Sequence, residues 1–439
     1  MAQASEVSPV VAGSRPPRSV GSQYRSMELD TRLLGMLIAL IVMWIGFDRL
    51  SGGLFLTSPN LWNLSVQSSA VAVMATGMVL IIVSRNIDLS VGSILGLTGY
   101  VMAMVQAVWI PTTLHLGWEQ PYTFLVALVV GITLGALIGG FQGVIIAYIG
   151  VPSFIVTLGG LLVWRGLVFE IQQGQTISPI DKTFTIIGGG LPDGALGEVS
   201  WIVAALLCVG IVFMMWSSRR RSRTYGFPVR PLWSAILISV VGCAGVLAAV
   251  WVVTEGYAWP PLLAHKYAIE HHVAEPAGGL QIPVGLAVPV LILLVVALVM
   301  TLIATRRRFG RYVFAIGGNP EAAELAGINT RRTILGTYVI MGILCAISGA
   351  IQTARLGSGV TSLGTSDELS VIAAAVIGGT SFTGGIGTIP GAILGSVVMQ
   401  TLRSGMLTLK VDSPIQDLVV GSVLVAAVAV NTVIGRRAK

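Results

Sequence analysis

Read for polarity alone, the chain is a succession of long apolar runs separated by short polar ones. Candidate runs fall near residues 33–50, 64–84, 89–108, 123–148, 153–170, 200–217, 233–253, 283–304, 333–353, 370–383, 386–402 and 415–434. Most have the length a helix needs to cross a bilayer, about 20 residues at a rise of about 1.5 Å each. The runs at 370–383 and 386–402 are joined by the glycine-rich "GGTSFTGGIG", which leaves open whether one of them re-enters instead of spanning. The pattern predicts an all-α membrane protein, a polytopic bundle of about 10–12 transmembrane helices.

Composition strengthens that expectation. Hydrophobic residues make up 54% of the chain and charged residues 10%, with 54 glycines and a mean hydropathy of +0.86. Small residues let membrane helices approach closely, so the glycine content fits a bundle. The net charge of +7 does not point to nucleic acid, because the arginines sit at the ends of apolar runs. Counting alternately from a cytoplasmic N-terminus, the inside segments receive Arg15, Arg18, Arg25, Arg32, "RRRSR" (219–223), "RRRFGR" (306–311), Arg331, Arg332, Arg436 and Arg437. That bias places both termini in the cytoplasm and the spans in lipid. The outside loops take most acids, among them Glu119, Asp181, Asp193, Glu255, Glu270, Glu275, Asp367 and Glu368.

The organisation that follows is a polar, disordered cytoplasmic tail over 1–32, a transmembrane domain over 33–434 and a short cytoplasmic tail over 435–439. Within the domain lie a cytoplasmic loop at 305–332 and an outside loop at 254–282. No cleavable signal peptide is visible ahead of the first run. Cys208, Cys243 and Cys345 lie inside apolar runs without metal-ligand spacing. His265, His271 and His272 lack the recurring spacing of a zinc site, so no metal is expected. A faint repeat is present: "GALIG" (135–139) returns as "GAILG" (391–395), and "VPSFIVTLGG" (151–160) is echoed by "SPIQDLVVGS" (413–422).

One polar stretch, "FAIGGNPEAAELAGINTRRT" (314–333), is too orderly for a linker. Asn319 is a good N-cap, and Pro320 suits the first helical position, where no donor is needed. Glu321 complements the positive end of the dipole, and Ala322, Ala323, Glu324, Leu325 and Ala326 are strong helix formers. Gly327 is placed to end the helix in the left-handed conformation. A two-turn helix in the cytoplasmic loop is predicted, either solvated among headgroups or serving as a docking knob for a soluble partner.

Glu321-Ala322-Ala323 with Gly327 resembles the EAA-x3-G loop of ATP-binding-cassette importer permeases. "SRNIDLSVGSILGLTG" (84–99), "GVPSFIVTLGGLLVWRG" (150–166), "YVFAIGGNPEAAELAGIN" (312–329) and "IAAAVIGGTSFTGGIGTIPGAILG" (372–395) resemble the sugar permeases of ribose/xylose type, and the length is closer to the xylose layout. The resemblance implies that Asn319, Glu321, Ala322, Ala323, Glu324 and Gly327 couple the pore to a separate ATPase subunit with tandem ATPase domains. It further implies a second permease copy forming a homodimer and an extracytoplasmic sugar-binding protein.

The chain has no phosphate loop: Lys182, Lys266, Lys410 and Lys439 follow no glycine-rich turn. No catalytic residue and no cofactor are therefore expected on this chain, with ATP and magnesium held by the partner. Arg85, Asn86 and Asp88 lie between two runs. Either Asp88 pairs with Arg85 or caps the next helix with Ser90, or a broken helix lets Asn86 and freed backbone reach sugar hydroxyls. Gln142, Thr157, Arg165, Gln352, Thr380, Ser381 and Gln400 are the other polar groups near apolar runs, fit either for the pathway or for interhelical hydrogen bonds. An ion-coupled transporter with Asp88 or Glu170 titrating, an importer of another small solute, and a membrane scaffold are the competing readings.

Overall fold

The computed structural model describes residues 31–190, 194–226, 231–254, 257–258, 265, 268–269, 272, 281–282 and 284–437. The tail with Arg15, Arg18 and Arg25, most of the 254–282 loop with Glu255, Glu270, His271 and Glu275, Asp193, and residues 438–439 lie outside the described residues.

The first half runs through α1 (Thr31–Leu50), α2 (Ser58–Val83), α3 (Val91–Met104), α4 (Thr123–Val144) and α5 (Ser153–Gln172). α3 continues as a π-helix over Val105–Thr113, and α4 over Ile145–Ile149. The short α6 (Lys182–Thr185) precedes the hairpin of α7 (Ser200–Thr224) and α8 (Leu232–Thr254). A two-residue antiparallel ribbon, Tyr257–Ala258 with Gln281–Ile282, leads to α9 (Val288–Arg306). The second half holds α10 (Arg308–Gly318), α11 (Pro320–Leu325), α12 (Thr330–Leu356), α13 (Asp367–Ile377), α14 (Ile389–Thr408) and α15 (Ser413–Arg437).

Among the described residues, nine helices are long and apolar enough to cross a membrane: α1 to α5, α7 to α9 and α12. α14 and α15 reach the length with 20 and 25 residues. α13, with 11 residues, is about 16 Å long, half of what a bilayer needs. The run expected at 370–383 is therefore a half-helix; the non-helical residues before it complete the passage from the end of α12 to the Val83 end of α2, where the Gly385 N–H donates to the Val83 carbonyl.

α2 and α3 form the centre. α2 is apolar all round from Ala70 to Val83 apart from Thr76, and it is buried there on every side. A helix without a polar face belongs inside. α1, α7 and α8 are mostly uncovered and form the periphery. Cys208 of α7 and Cys243 of α8 face one another across the hairpin, each Sγ within 3.9 Å of the other's carbonyl, while Cys345 is buried in α12.

The "GALIG" and "GAILG" echoes perform one task. On α4, a Cβ at Gly135 would collide with the Gly342 carbonyl, and one at Gly342 with the Gly135 carbonyl. On α14, a Cβ at Gly395 would collide with the Ala374 carbonyl, and one at Gly391 with that of Gly378. Both segments press backbone against backbone, α4 on α12 and α14 on α13.

Candidate functional site

The loop between α9 and α12 carries two helices where one was expected. α10 is amphipathic: Gly310, Val313, Ile316 and Gly317 are buried, while Arg308, Arg311 and Tyr312 are exposed. After Gly318 the chain turns at Asn319, whose Oδ1 accepts from the Ala322 N–H at 3.0 Å. Pro320 opens α11, and Gly327 closes it at φ +79°, with the Gly327 and Ile328 N–H groups donating to the Glu324 and Ala323 carbonyls. The capping chemistry read from the sequence is thus in place.

Ala323 packs inward, whereas Glu321, Ala322, Glu324 and Gly327 are exposed. Leu325, at the tip, is 90% exposed, more than any other large apolar side chain among the described residues. Exposed Arg306, Arg307, Arg308, Arg311, Arg331 and Arg332 flank the knob along the chain.

The base of the knob is a junction. Gly317 lies so close to the end of α2 that a Cβ there would fall on the Val83 carbonyl. The same carbonyl accepts from the Gly385 N–H at 3.0 Å. Arg85 donates through Nε to the Gly317 carbonyl and through Nη2 to that of Gly318, both at 2.8 Å. The expected alternative of an Arg85–Asp88 ion pair is not realised. Arg85 points to the knob, and its partners stand 232 and 233 residues further along the chain.

Asp88 turns the opposite way and is 1% exposed. Its Oδ1 accepts from the Ser90 N–H at 2.9 Å and lies 2.6 Å from Ser90 Oγ, which is 3.1 Å from Gln142 Oε1. This is the helix-opening arrangement of Asp88 with Ser90, carried by an Asx turn ahead of α3. Residues 85–90 are non-helical backbone inside the bundle, tolerable in a membrane only where protein satisfies it. The Ile87 N–H donates to Ser153 Oγ at 3.2 Å, and Tyr338 donates to the Ile87 carbonyl at 3.3 Å. Asn86 turns back to the Ser84 carbonyl.

The other polar candidates divide by exposure. Gln142, Thr157 and Thr380 are sealed inside the protein, as is Ser90. Thr157 donates to the Ser153 carbonyl of its own helix at 2.9 Å. Gln400 meets Gln67 of α2 at 3.0 Å, an interhelical contact, and Ser381 shares a hydrogen bond with Thr383 in the loop before α14. Arg165 is half-buried, and its Nη1 donates to the Leu363 carbonyl at 2.7 Å.

That contact leads to residues whose sequence suggests a solvated loop. From Gly357 the chain turns back along α3, with Gly359 beside Ala103, the Leu363 carbonyl beside Gly96 and the Gly364 carbonyl beside Gly92. Asp367 is consequently no outside-loop acid. It is 7% exposed, paired with Arg403 of α14 at 3.3 Å and accepting from Gln352 of α12 at 2.9 Å. The signal available was the hydroxyl-rich "GSGVTSLGTSDE" (357–368) between two apolar runs. Among the described residues no three His, Cys, Asp or Glu side chains gather as metal ligands.

A family model described as "Branched-chain amino acid transport system / permease component" matches residues 60–274 and 269–428. The chain is 37% identical over 410 residues to the xylose transport system permease protein of Escherichia coli (strain K12), covering 93% of this chain and 94% of that one. It is 36% identical over 411 residues to the corresponding xylose protein of Haemophilus influenzae, covering 93% and 98%. Against the ribose import permease protein of Escherichia coli (strain K12) it is 30% identical over 395 residues, covering 90% and 92%. No solved structure matches the chain.

Proposed function

Because the chain belongs to the permease family of ATP-binding-cassette sugar transporters, we propose that it is the membrane-spanning subunit of an ATP-driven importer whose cargo is D-xylose or a related pentose. Two copies form the pathway, a solute-binding protein delivers sugar from outside, and an ATPase subunit with tandem ATPase domains sits on the cytoplasmic side, holding ATP and magnesium. The membrane is the bacterial inner membrane, with both termini and α11 inside.

The observation that carries the reading is α11: a capped helix that buries Ala323 against its neighbours, presents Glu321, Ala322, Glu324 and Leu325 to solvent and is braced at its base by Arg85. An exposed leucine beside small alanines fits a groove on a soluble subunit better than it fits water. Displacement of α11 pulls on Gly317 and Gly318, and through Arg85 on residues 85–90, where the turn of Asp88 and Ser90 opens α3. ATP shifts the pore between states by favouring one of them differentially.

The test is reconstitution with the ATPase subunit and the binding protein in proteoliposomes. Uptake of labelled D-xylose that depends on ATP is expected. Uptake by this chain alone, driven by a proton or sodium gradient, would defeat the reading.

A further inference from the structure

The segment from Gly357 to Ser366 descends about 16 Å along α3, passing it from Ala103 back to Gly92. It is not helical, and it adopts positive φ at Gly357, Gly364 and Ser366, the last a residue for which this conformation is strained. Backbone of this kind within a membrane domain is buried in protein or lines water. Here it does both: Leu363 and Gly364 are buried, while Ser362 and Thr365 are exposed. Hydroxyls facing hydrocarbon at such depth are unfavourable, so their exposed side belongs to an aqueous pathway.

Two charged groups flank these hydroxyls with hydrogen-bonding capacity unused. Arg165 holds the Leu363 and Thr361 carbonyls through Nη1 alone, and its Nε and Nη2 make no hydrogen bond among the described residues. Glu368 is partly exposed, and its Oε2 is buried without a hydrogen-bond partner, close to α3's first turn at Gly92. Arg165 and Arg403 are the cations that act on it. Asp367, by contrast, is committed to Arg403 and Gln352. Two acids and two arginines cancel, so the site's field favours no ion.

We propose that Arg165, Ser362, Thr365 and Glu368 form a transit site for a neutral polyol. Glu368 accepts from adjacent sugar hydroxyls, Arg165 donates to hydroxyl oxygens, and Ser362 and Thr365 do both. The hydrogen bonds are dispersed over a hydroxyl-rich strand, as suits cargo that must be passed on. This inference rests on the importer reading and adds to it the place where sugar touches the permease. The sealed groups Asp88, Ser90 and Gln142 stand outside it.

The test uses the complete transporter in proteoliposomes with binding protein and labelled D-xylose. Ser362→Cys is expected to react with a membrane-impermeant, charged methanethiosulfonate, above the wild-type background, and more slowly when D-xylose is present. Glu368→Gln and Ser362→Leu are expected to lower the sugar moved per ATP hydrolysed at least tenfold. Among the described residues the Ser362 hydroxyl makes no hydrogen bond, so its replacement reports on the site even where Glu368→Gln misfolds. An unreactive Ser362→Cys variant, or an unchanged ratio of sugar to ATP in Ser362→Leu, overturns the site while wild-type uptake stands. Failure of the wild type to move any pentose or hexose overturns the importer reading, and the site with it.

Discussion

Arg85 is the residue whose side chain ties the base of the knob to the bundle. Its two hydrogen bonds to the Gly317 and Gly318 carbonyls are charge-assisted but partly solvated, and each is worth about 1 kcal/mol. Arg85→Ala is expected to loosen the base of α11, so that ATP hydrolysed per sugar moved rises several-fold while the protein still inserts. Arg85→Lys restores little, since a point charge does not span two carbonyls as a planar fork does. Measured ATP-to-sugar stoichiometry in proteoliposomes checks both variants. Gly317→Val is expected to be more severe, because its first added carbon falls on the end of α2. The local chemistry of Asn319, Pro320 and Gly327 was legible because a cap is written within a few residues. Arg85 was not, because its acceptors are backbone carbonyls, which no side-chain pattern announces, and they come from a distant part of the chain.

At the scale of elements, glycine contacts and one ion pair decide how helices sit. Gly342→Leu on α12 is expected to force α4 away, since the two backbones meet at Gly135 with no room for a side chain; overpacking of a close crossing costs about 1–3 kcal/mol or more. A lower thermal unfolding midpoint in detergent and reduced accumulation in membranes are the expected readouts. α13 is held between α12 and α14 by Asp367. Arg403→Met leaves that acid unpaired in a buried place and is expected to cost about 3–5 kcal/mol, whereas Arg403→Met combined with Asp367→Asn recovers much of the loss. A double-mutant cycle on thermal unfolding measures the recovery. Apolar length made the long helices readable, although α2 begins earlier and α7 runs on further than their apolar cores, through polar residues that helix still accommodates. Length misled at α13, because a half-helix and the tail of a full span look alike in sequence. The acids at its start looked like loop charge because the partners that neutralise them lie on other helices.

For the whole molecule, the central pair α2 and α3 forms a scaffold whose connecting end serves two tasks. The end of α2 and Arg85 meet the base of the knob, and α3's first turn, a few residues on, meets the segment that carries Ser362, Thr365 and Glu368. The peripheral α7–α8 hairpin touches the rest mainly through α2, and its arginine-rich end extends α7 to Thr224 as continuous helix. Asp88 and Gln142 are buried around Ser90, and the exposed hydroxyls of Ser362 and Thr365 were hidden in what read as a loop. The central claim is that a separate motor moves this pore by gripping α11. A photo-crosslinking amino acid at position 325, in the intact transporter within its membrane, measures it directly. An efficient adduct between that position and the ATPase subunit, altered by nucleotide, is expected. An adduct to lipid alone, with the ATPase subunit bound and active, would contradict it.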